Sequence, residues 1–263
     1  MKRQSILFVR SMCVVILFIT LAACKDTDNR VFGDDFDFPA LTDENTIRFT
    51  VNVVGDWRQL DIVASGGRMV IDWGNGRMQK IEDPSSMTGG VVYRYGNKGS
   101  YEVKIWAEEL QLIDISGLLL PLSNLYLGNM PRMKYLALNS ISDTRKLDLN
   151  TFCPNVESIN IGSLADLERL EIGNCSRLRS IQIYSNPKLT SIEFGSHPET
   201  ESLYCSYNGL SSLSLKSLPA LRNIDLSSNE RLSRLELNEE TSISAILIQG
   251  CAFQSIKIGR AHV

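Results

Sequence analysis

The stretch Ala220–Glu240, ALRNIDLSSNERLSRLELNEE, says nearly the same thing twice. Leu221–Leu226 (LRNIDL) and Leu232–Leu237 (LSRLEL) both read L-x-x-Φ-x-Φ, with Φ aliphatic, and they start eleven residues apart. Traced in both directions, the unit recurs with its first Φ at Ile113, Leu125, Leu136, Leu147, Ile159, Leu170, Ile181, Ile192, Leu203, Leu213, Ile224, Leu235, Ile246 and Ile256. Every gap is 10, 11 or 12 residues. Side chains alternate across a strand, so each Φ-x-Φ predicts one short strand with both aliphatics on its buried side. A doubled phrase predicts a flattened coil of about 22 residues with one strand on each face.

The two halves of the repeat differ at their turns. Five residues after Ile181, Leu203, Ile224 and Ile246 stand Asn186, Asn208, Asn229 and Cys251. The other half places Phe152, Cys175, His197, Leu218 and Glu240 at that distance. LRSIQIYSN, TESLYCSYN and LRNIDLSSN therefore fit L-x-x-Φ-x-Φ-x-x-N, and the chain from residue 110 to 257 resembles a leucine-rich-repeat solenoid. One coil cannot bury its aliphatic row alone, so neighbours stack and the core runs as a column. Asn186, Asn208, Asn229 and Cys251 are expected to form an inward ladder that satisfies backbone groups at the turn, starting late because Ile141 and Leu164 hold the earlier places. The expected fold class is mainly β.

Residues 45–109 read differently. TIRFTVNVV and YEVKIWA alternate at period two, and Asn75-Gly76 between two strand-like runs predicts a tight hairpin with both turn residues at positive φ. Trp73-Gly74-Asn75-Gly76, then Tyr95, Gly99, Tyr101 and Val103, resemble the PKD-like β-sandwich. Asn75 stands where that pattern has Asp, which speaks against a cation-binding role. Trp73 and Tyr101 are expected in the core, and the sandwich is expected to act as a spacer or presentation module.

The N-terminus reads as an address. Residues 1–23 pair Lys2, Arg3 and Arg10 with an apolar run, the form of a signal peptide. Leu21-Ala22-Ala23-Cys24 resembles the bacterial lipobox, which implies cleavage before Cys24 and lipidation there. Residues 24–44 are an acidic tether, and Lys25-Asp26 with Asp28 resembles the surface-export signal of Bacteroides-type lipoproteins. The expected localisation is the outer membrane, lipid-anchored and exposed at the cell surface. The formal charge of −3 falls to about −6 without the leader, which argues against a nucleic-acid partner. The last six residues, IGRAHV, resemble the translation of a sequencing adapter, so residues 258–263 are expected to be a non-native tail.

Function is sought on the solenoid faces. The second-copy strands show outward Lys146/Asp148, Arg169/Glu171, Ser191/Glu193, Arg234/Glu236 and Ser255/Lys257, an ordinary solvated surface. The ladder strands show amides, hydroxyls and tyrosines instead. The residues expected to carry a ligand are Tyr135, Asn160, Gln182, Tyr184, Tyr204 and Asp225, lining one row about 25 Å long at ~4.8 Å per coil. Tyr184 and Tyr204 are expected to lie outside the core. No catalytic residue, metal or cofactor is expected: His197 and His262 are the only histidines, and His197 reads as structural. Buried thiols are preferred to a Cys153–Cys175 disulfide. The expectation is a monomeric surface module that binds protein or glycan; the alternatives are an enzyme whose site the sequence hides or a purely structural envelope protein.

Overall fold

The computed structural model describes residues 39, 41–56, 58–82, 90–116, 120–150, 155–173 and 175–253. The signal segment, Cys24, most of the tether, Cys153, Ile256 and residues 258–263 lie outside the described residues. Among the described residues every regular element is a strand.

The first six strands are β1 (Thr46–Val53), β2 (Gln59–Ser65), β3 (Met69–Asp72), β4 (Met78–Ile81), β5 (Val91–Arg94) and β6 (Gly99–Ala107). Then come β7 (Leu112–Ser116), β8 (Leu122–Leu127), β9 (Tyr135–Asn139), β10 (Lys146–Asp148), β11 (Ser158–Gly162), β12 (Arg169–Ile172) and β13 (Ser180–Tyr184). The chain continues with β14 (Ser191–Phe194), β15 (Ser202–Ser206), β16 (Ser212–Leu215), β17 (Asn223–Asp225), β18 (Arg234–Leu237) and β19 (Ala245–Leu247). Each Φ-x-Φ from Ile113 to Ile246 begins inside one strand of the series β7 to β19, in order. Residues 112–247 form a β-solenoid of about six turns, with coils of about 22 residues.

β1 to β6 build a sandwich whose two sheets run into the solenoid. One sheet has the order β4-β3-β6-β1-β8, all pairs antiparallel, so β8 belongs to the sandwich. The other is a nine-stranded sheet, β19-β17-β15-β13-β11-β9-β7-β2-β5. Within it β7 pairs antiparallel with β2 and parallel with β9, and is the joint between the two halves. The expected boundary at residues 109/110 therefore separates no two cores: one apolar cluster runs from Ile47 to Leu237. Trp73 and Tyr95 are buried in it, Tyr95 Oη donating to the Trp73 carbonyl at 3.2 Å, and Tyr93 stacks on Trp73 with centroids 4.3 Å apart. Tyr101, by contrast, is half-buried and stacks on Tyr95 at 4.5 Å.

The β3–β4 hairpin corrects one expectation. Asp72 pairs with Met78, so the loop has five residues, closed by Trp73 N–H donating to the Arg77 carbonyl at 3.0 Å. Positive φ falls on Gly74 (76°) and Gly76 (85°) and not on Asn75. Only glycine fits at position 74, because a Cβ there would sit 2.5 Å from the Glu102 carbonyl oxygen. Asn75 is free to use its side chain and donates to Tyr93 Oη at 2.7 Å.

The ladder is built as the pattern implies. Asn186 Oδ1 accepts from Leu164 N–H at 2.9 Å, Asn208 Oδ1 from Asn186 N–H at 3.2 Å, and Asn229 Oδ1 from Asn208 N–H at 3.0 Å. Their amide groups donate back to the Ile161, Ile183 and Cys205 carbonyls at 3.2, 2.9 and 2.7 Å. Cys251 Sγ takes the last place, donating to the Leu226 carbonyl at 3.0 Å. Just before each ladder position the chain bends through the left-handed region, at Ser140, Ser163, Ser185, Tyr207, Ser228 and Gly250. The bend turns the N–H toward the next coil: Ser163 donates to the Tyr184 carbonyl at 3.0 Å and Ser185 to that of Ser206 at 3.1 Å.

The second face is interrupted. β10-β12-β14 forms one parallel sheet and β16-β18 another. The break falls where the spacing contracts, Leu203 to Leu213 being 10 residues against the usual 11. Ile192 and Phe194 on β14 are accordingly only half-buried.

Replacing Asn208 by Ala strands a buried N–H and a buried carbonyl on the neighbouring coil, and should cost about 2–4 kcal/mol by urea unfolding. Asn238→Ala, which removes an exposed contact to the Lys216 carbonyl, is the control and should cost under about 1 kcal/mol.

Candidate functional site

Parallel register arranges the outward residues of the ladder sheet in three rows. Tyr135, Ser158, Ser180, Ser202 and Asn223 form the first. Ala137, Asn160, Gln182, Tyr204 and Asp225 form the second, and Asn139, Gly162, Tyr184 and Ser206 the third. The six residues expected in one row thus occupy three: Asn160, Gln182, Tyr204 and Asp225 are aligned, with Tyr135 and Tyr184 on either side. The reason is parity, since positions two apart along a strand share a face but not a row. From β9 to β15 no outward strand residue is charged. Charge is confined to the rim, where Lys134, Glu157, Arg179, Glu201 and Arg222 alternate in sign just ahead of the strands.

Three of the six, Tyr135, Asn160 and Tyr184, lie together at one end of the face. The Tyr184 ring extends from β13 across Gly162 on β11 and donates its hydroxyl to Asn139 Oδ1 on β9 at 2.7 Å. A Cβ on Gly162 would lie 2.4 Å from Tyr184 Cζ and 2.3 Å from Asn139 Oδ1, so only glycine leaves the ring its path. The Asn160 side chain lies beside the Tyr135 and Tyr184 phenols, and its own Oδ1 is buried without a partner. Burial raises both phenol pKa values, helped by the Asp114 carboxylate and opposed by Asn160. The cover is effective: Ala137 is fully buried and Asn139 nearly so, although both face outward. Tyr184 lies outside the core cluster, as expected, but it is held down by Asn139 and does not stand open on the face.

The aromatic surface that is open lies further along. Tyr204 is 38% exposed and Tyr207, at the bend after β15, is 62% exposed. Leu247 is 58% exposed two coils on in the row of Tyr204. Asp225 is not a free acid, since its Oδ1 accepts from Ser227 N–H at 2.9 Å and from Ser227 Oγ at 2.6 Å. Gln182 is half-buried between Asn160 and Tyr204. Tyr207 counts among the tyrosines near this face in the sequence but lies outside the Φ-x-Φ positions and was not among the six; the bends of the other coils hold Ser140, Ser163, Ser185 and Ser228 at its place.

The opposite face is a salt-bridge lattice. Glu171 accepts from Lys146 at 3.0 Å and Arg169 at 2.8 Å, and Arg169 reaches Glu193 at 2.7 Å. Lys216 and Arg234 both hold Glu236, whose carboxyl they depress below the usual range. His197 is fully buried; its Nδ1 lies 2.8 Å from the Cys175 carbonyl, so it donates there, and Nε2 meets no partner. It thus serves the second face as the asparagines serve the first. Burial pushes the Cys205 thiol up to about 12 and that of Cys175 to about 11, poor values for a nucleophile. Among the described residues no group of three or more His, Cys, Asp or Glu is placed to hold a metal ion. No family model, curated protein or solved structure matches the chain.

Gly162→Ala should cost about 1–3 kcal/mol through the clash with Tyr184 and Asn139. The same change made in a Tyr184→Ala background should cost clearly less, because the ring is gone and the Asn139 side chain, released from its bond to Tyr184, can turn aside. Urea midpoints for the four-member cycle give the coupling, and simple additivity would contradict the packing described.

Proposed function

We propose that this protein is a lipid-anchored lipoprotein of the bacterial outer membrane, displayed at the cell surface, whose ladder face binds a protein or glycan ligand. The observation that carries the reading is the contrast between the two solenoid faces. One holds a lattice of paired charges, which is what a solvated surface needs. The other is uncharged from β9 to β15 and ends in exposed Tyr204 and Tyr207. Exposed tyrosines among small polar side chains give large contact area at little entropic cost, the composition of a recognition surface. The face is an extended strip, so contact would be spread over several coils. The protonated, buried Cys205 thiol and the turn-bound Asp225 argue against catalysis there.

The lipobox resemblance at Cys24 supports the anchor, and several acyl chains suffice to hold a protein to a membrane. In cells fed labelled palmitate, the wild type should take up label and Cys24→Ala should not. Absence of label in the wild type would remove the anchor from the proposal.

The choice of face is checked on glycan and extracellular-protein arrays. Tyr204→Ala should weaken whatever binds by about 1–3 kcal/mol with folding unchanged. Glu193→Ala on the charged face should leave binding intact. The reverse pattern would show that the wrong face was chosen.

A further inference from the structure

Tyr207 sits where this fold does not want it. In the other coils the left-handed bend before the ladder position is made by Ser140, Ser163, Ser185, Ser228 or Gly250. Tyr207 adopts φ 57° there, a conformation that bulky L side chains avoid. The bend itself is made by the backbone: Tyr207 N–H donates to the Ser227 carbonyl at 3.1 Å, the same distance as Ser185 N–H to the Ser206 carbonyl. The ring adds nothing to that bond. Burial does not offset the conformational cost either, because the residue is 62% exposed. A bulky residue kept at such a position without structural return is the kind of outlier that points to use.

Its surroundings narrow the use. Tyr204, 38% exposed, lies three residues earlier, on β15. The other outward groups of β13 and β15 are Ser180, Gln182, Ser202 and Ser206 beside the bonded Tyr184. No charged side chain stands among them, and the nearest acid in the row, Asp225, is engaged by Ser227. The charges nearest the rings are Asp225, held in its turn by Ser227, and the rim residues Arg179, Glu201 and Arg222 of mixed sign, so no cluster of one sign faces a charged ligand. What the surface offers is two aromatic rings, whose electron-rich faces attract C–H groups, and hydroxyl and amide groups that pair with hydroxyls. That is the chemistry of an uncharged sugar. The groups recur from coil to coil at the strand spacing of ~4.8 Å, so an extended chain matches them better than a single sugar.

Resting on the reading of the ladder face as a binding surface, we propose that Tyr204 and Tyr207 form the aromatic subsite of a neutral-polysaccharide site, with Gln182 and Ser206 as hydrogen-bonding flank. Tyr207→Ser tests it well, because serine is what the repeat itself uses at this bend. The full chain is run in native gels containing soluble neutral polymers (amylopectin, mixed-linkage β-glucan, xyloglucan, galactomannan), with heparin and polygalacturonate as charged controls. The expected result is retardation by at least one neutral polymer and by neither charged one. Tyr207→Ser should weaken that retardation about tenfold or more, while its Tm is unchanged or raised. Tyr204→Ser should weaken it likewise, and Glu193→Ala should not. Retardation by none of the neutral polymers, or retardation indifferent to both tyrosines, would overturn the proposal. If the arrays instead showed a protein partner sensitive to Tyr204→Ala, the binding face would stand and only the glycan assignment would fall.

Discussion

The structure depends on closing each coil at its bend without leaving backbone polar groups stranded. A buried N–H or C=O without a partner costs about 1–3 kcal/mol, and a stack of coils repeats that liability at every turn. Asn186, Asn208 and Asn229 meet it with one side chain each, accepting from an N–H and donating to a carbonyl of the preceding coil. The left-handed residue just before sends its own N–H forward to the next coil. Bonds thus run both ways along the stack at its tightest point. That keeps the coils in register, and the register aligns the outward residues in rows.

The same logic governs the first end of the stack. A solenoid's terminal coil would expose its aliphatic row unless something covers it. Here the cover is continuous with what it covers: β2 bonds β7 in the ladder sheet, and β1 bonds β8 in the opposing sheet. β7 can accept an antiparallel partner on one edge and a parallel one on the other because its two edges present separate sets of backbone groups. The sandwich is thereby part of the repeat domain's core and not a separate bead before it.

The two long faces divide the remaining work. On the charged face Lys146, Arg169, Glu171 and Glu193 neutralise one another across adjacent strands, at the small energies typical of exposed pairs. On the ladder face the first coils close over themselves, Tyr184 spanning Gly162 to reach Asn139. The later coils leave Tyr204 and Tyr207 open. A single face therefore carries a stapled segment and an accessible one.

Much of this was legible in the residues alone. Period-two burial within an eleven-residue beat marks β7 to β19, because alternation and stacking are local and repeated, and each coil restates the pattern. The ladder was legible for the same reason, down to its late start at Asn186, after Ile141 and Leu164. The Asn75-Gly76 hairpin was misjudged because the dipeptide preference does not register that Gly74 must pass close to the Glu102 carbonyl. Which ladder-face residues stay open was not in the pattern at all. Tyr184 and Tyr204 have the same outward parity, yet one lies over a glycine two coils from its hydrogen-bond partner and the other stands free. That difference comes from Gly162 and Asn139 on neighbouring strands, contacts 22 and 45 residues away in sequence. The repeat alone determined the strands, the inward core and the ladder, since those arise from each coil's own residues. Only the tertiary structure decided the merger with the sandwich and the exposure of each tyrosine, because both depend on what an adjacent strand happens to present.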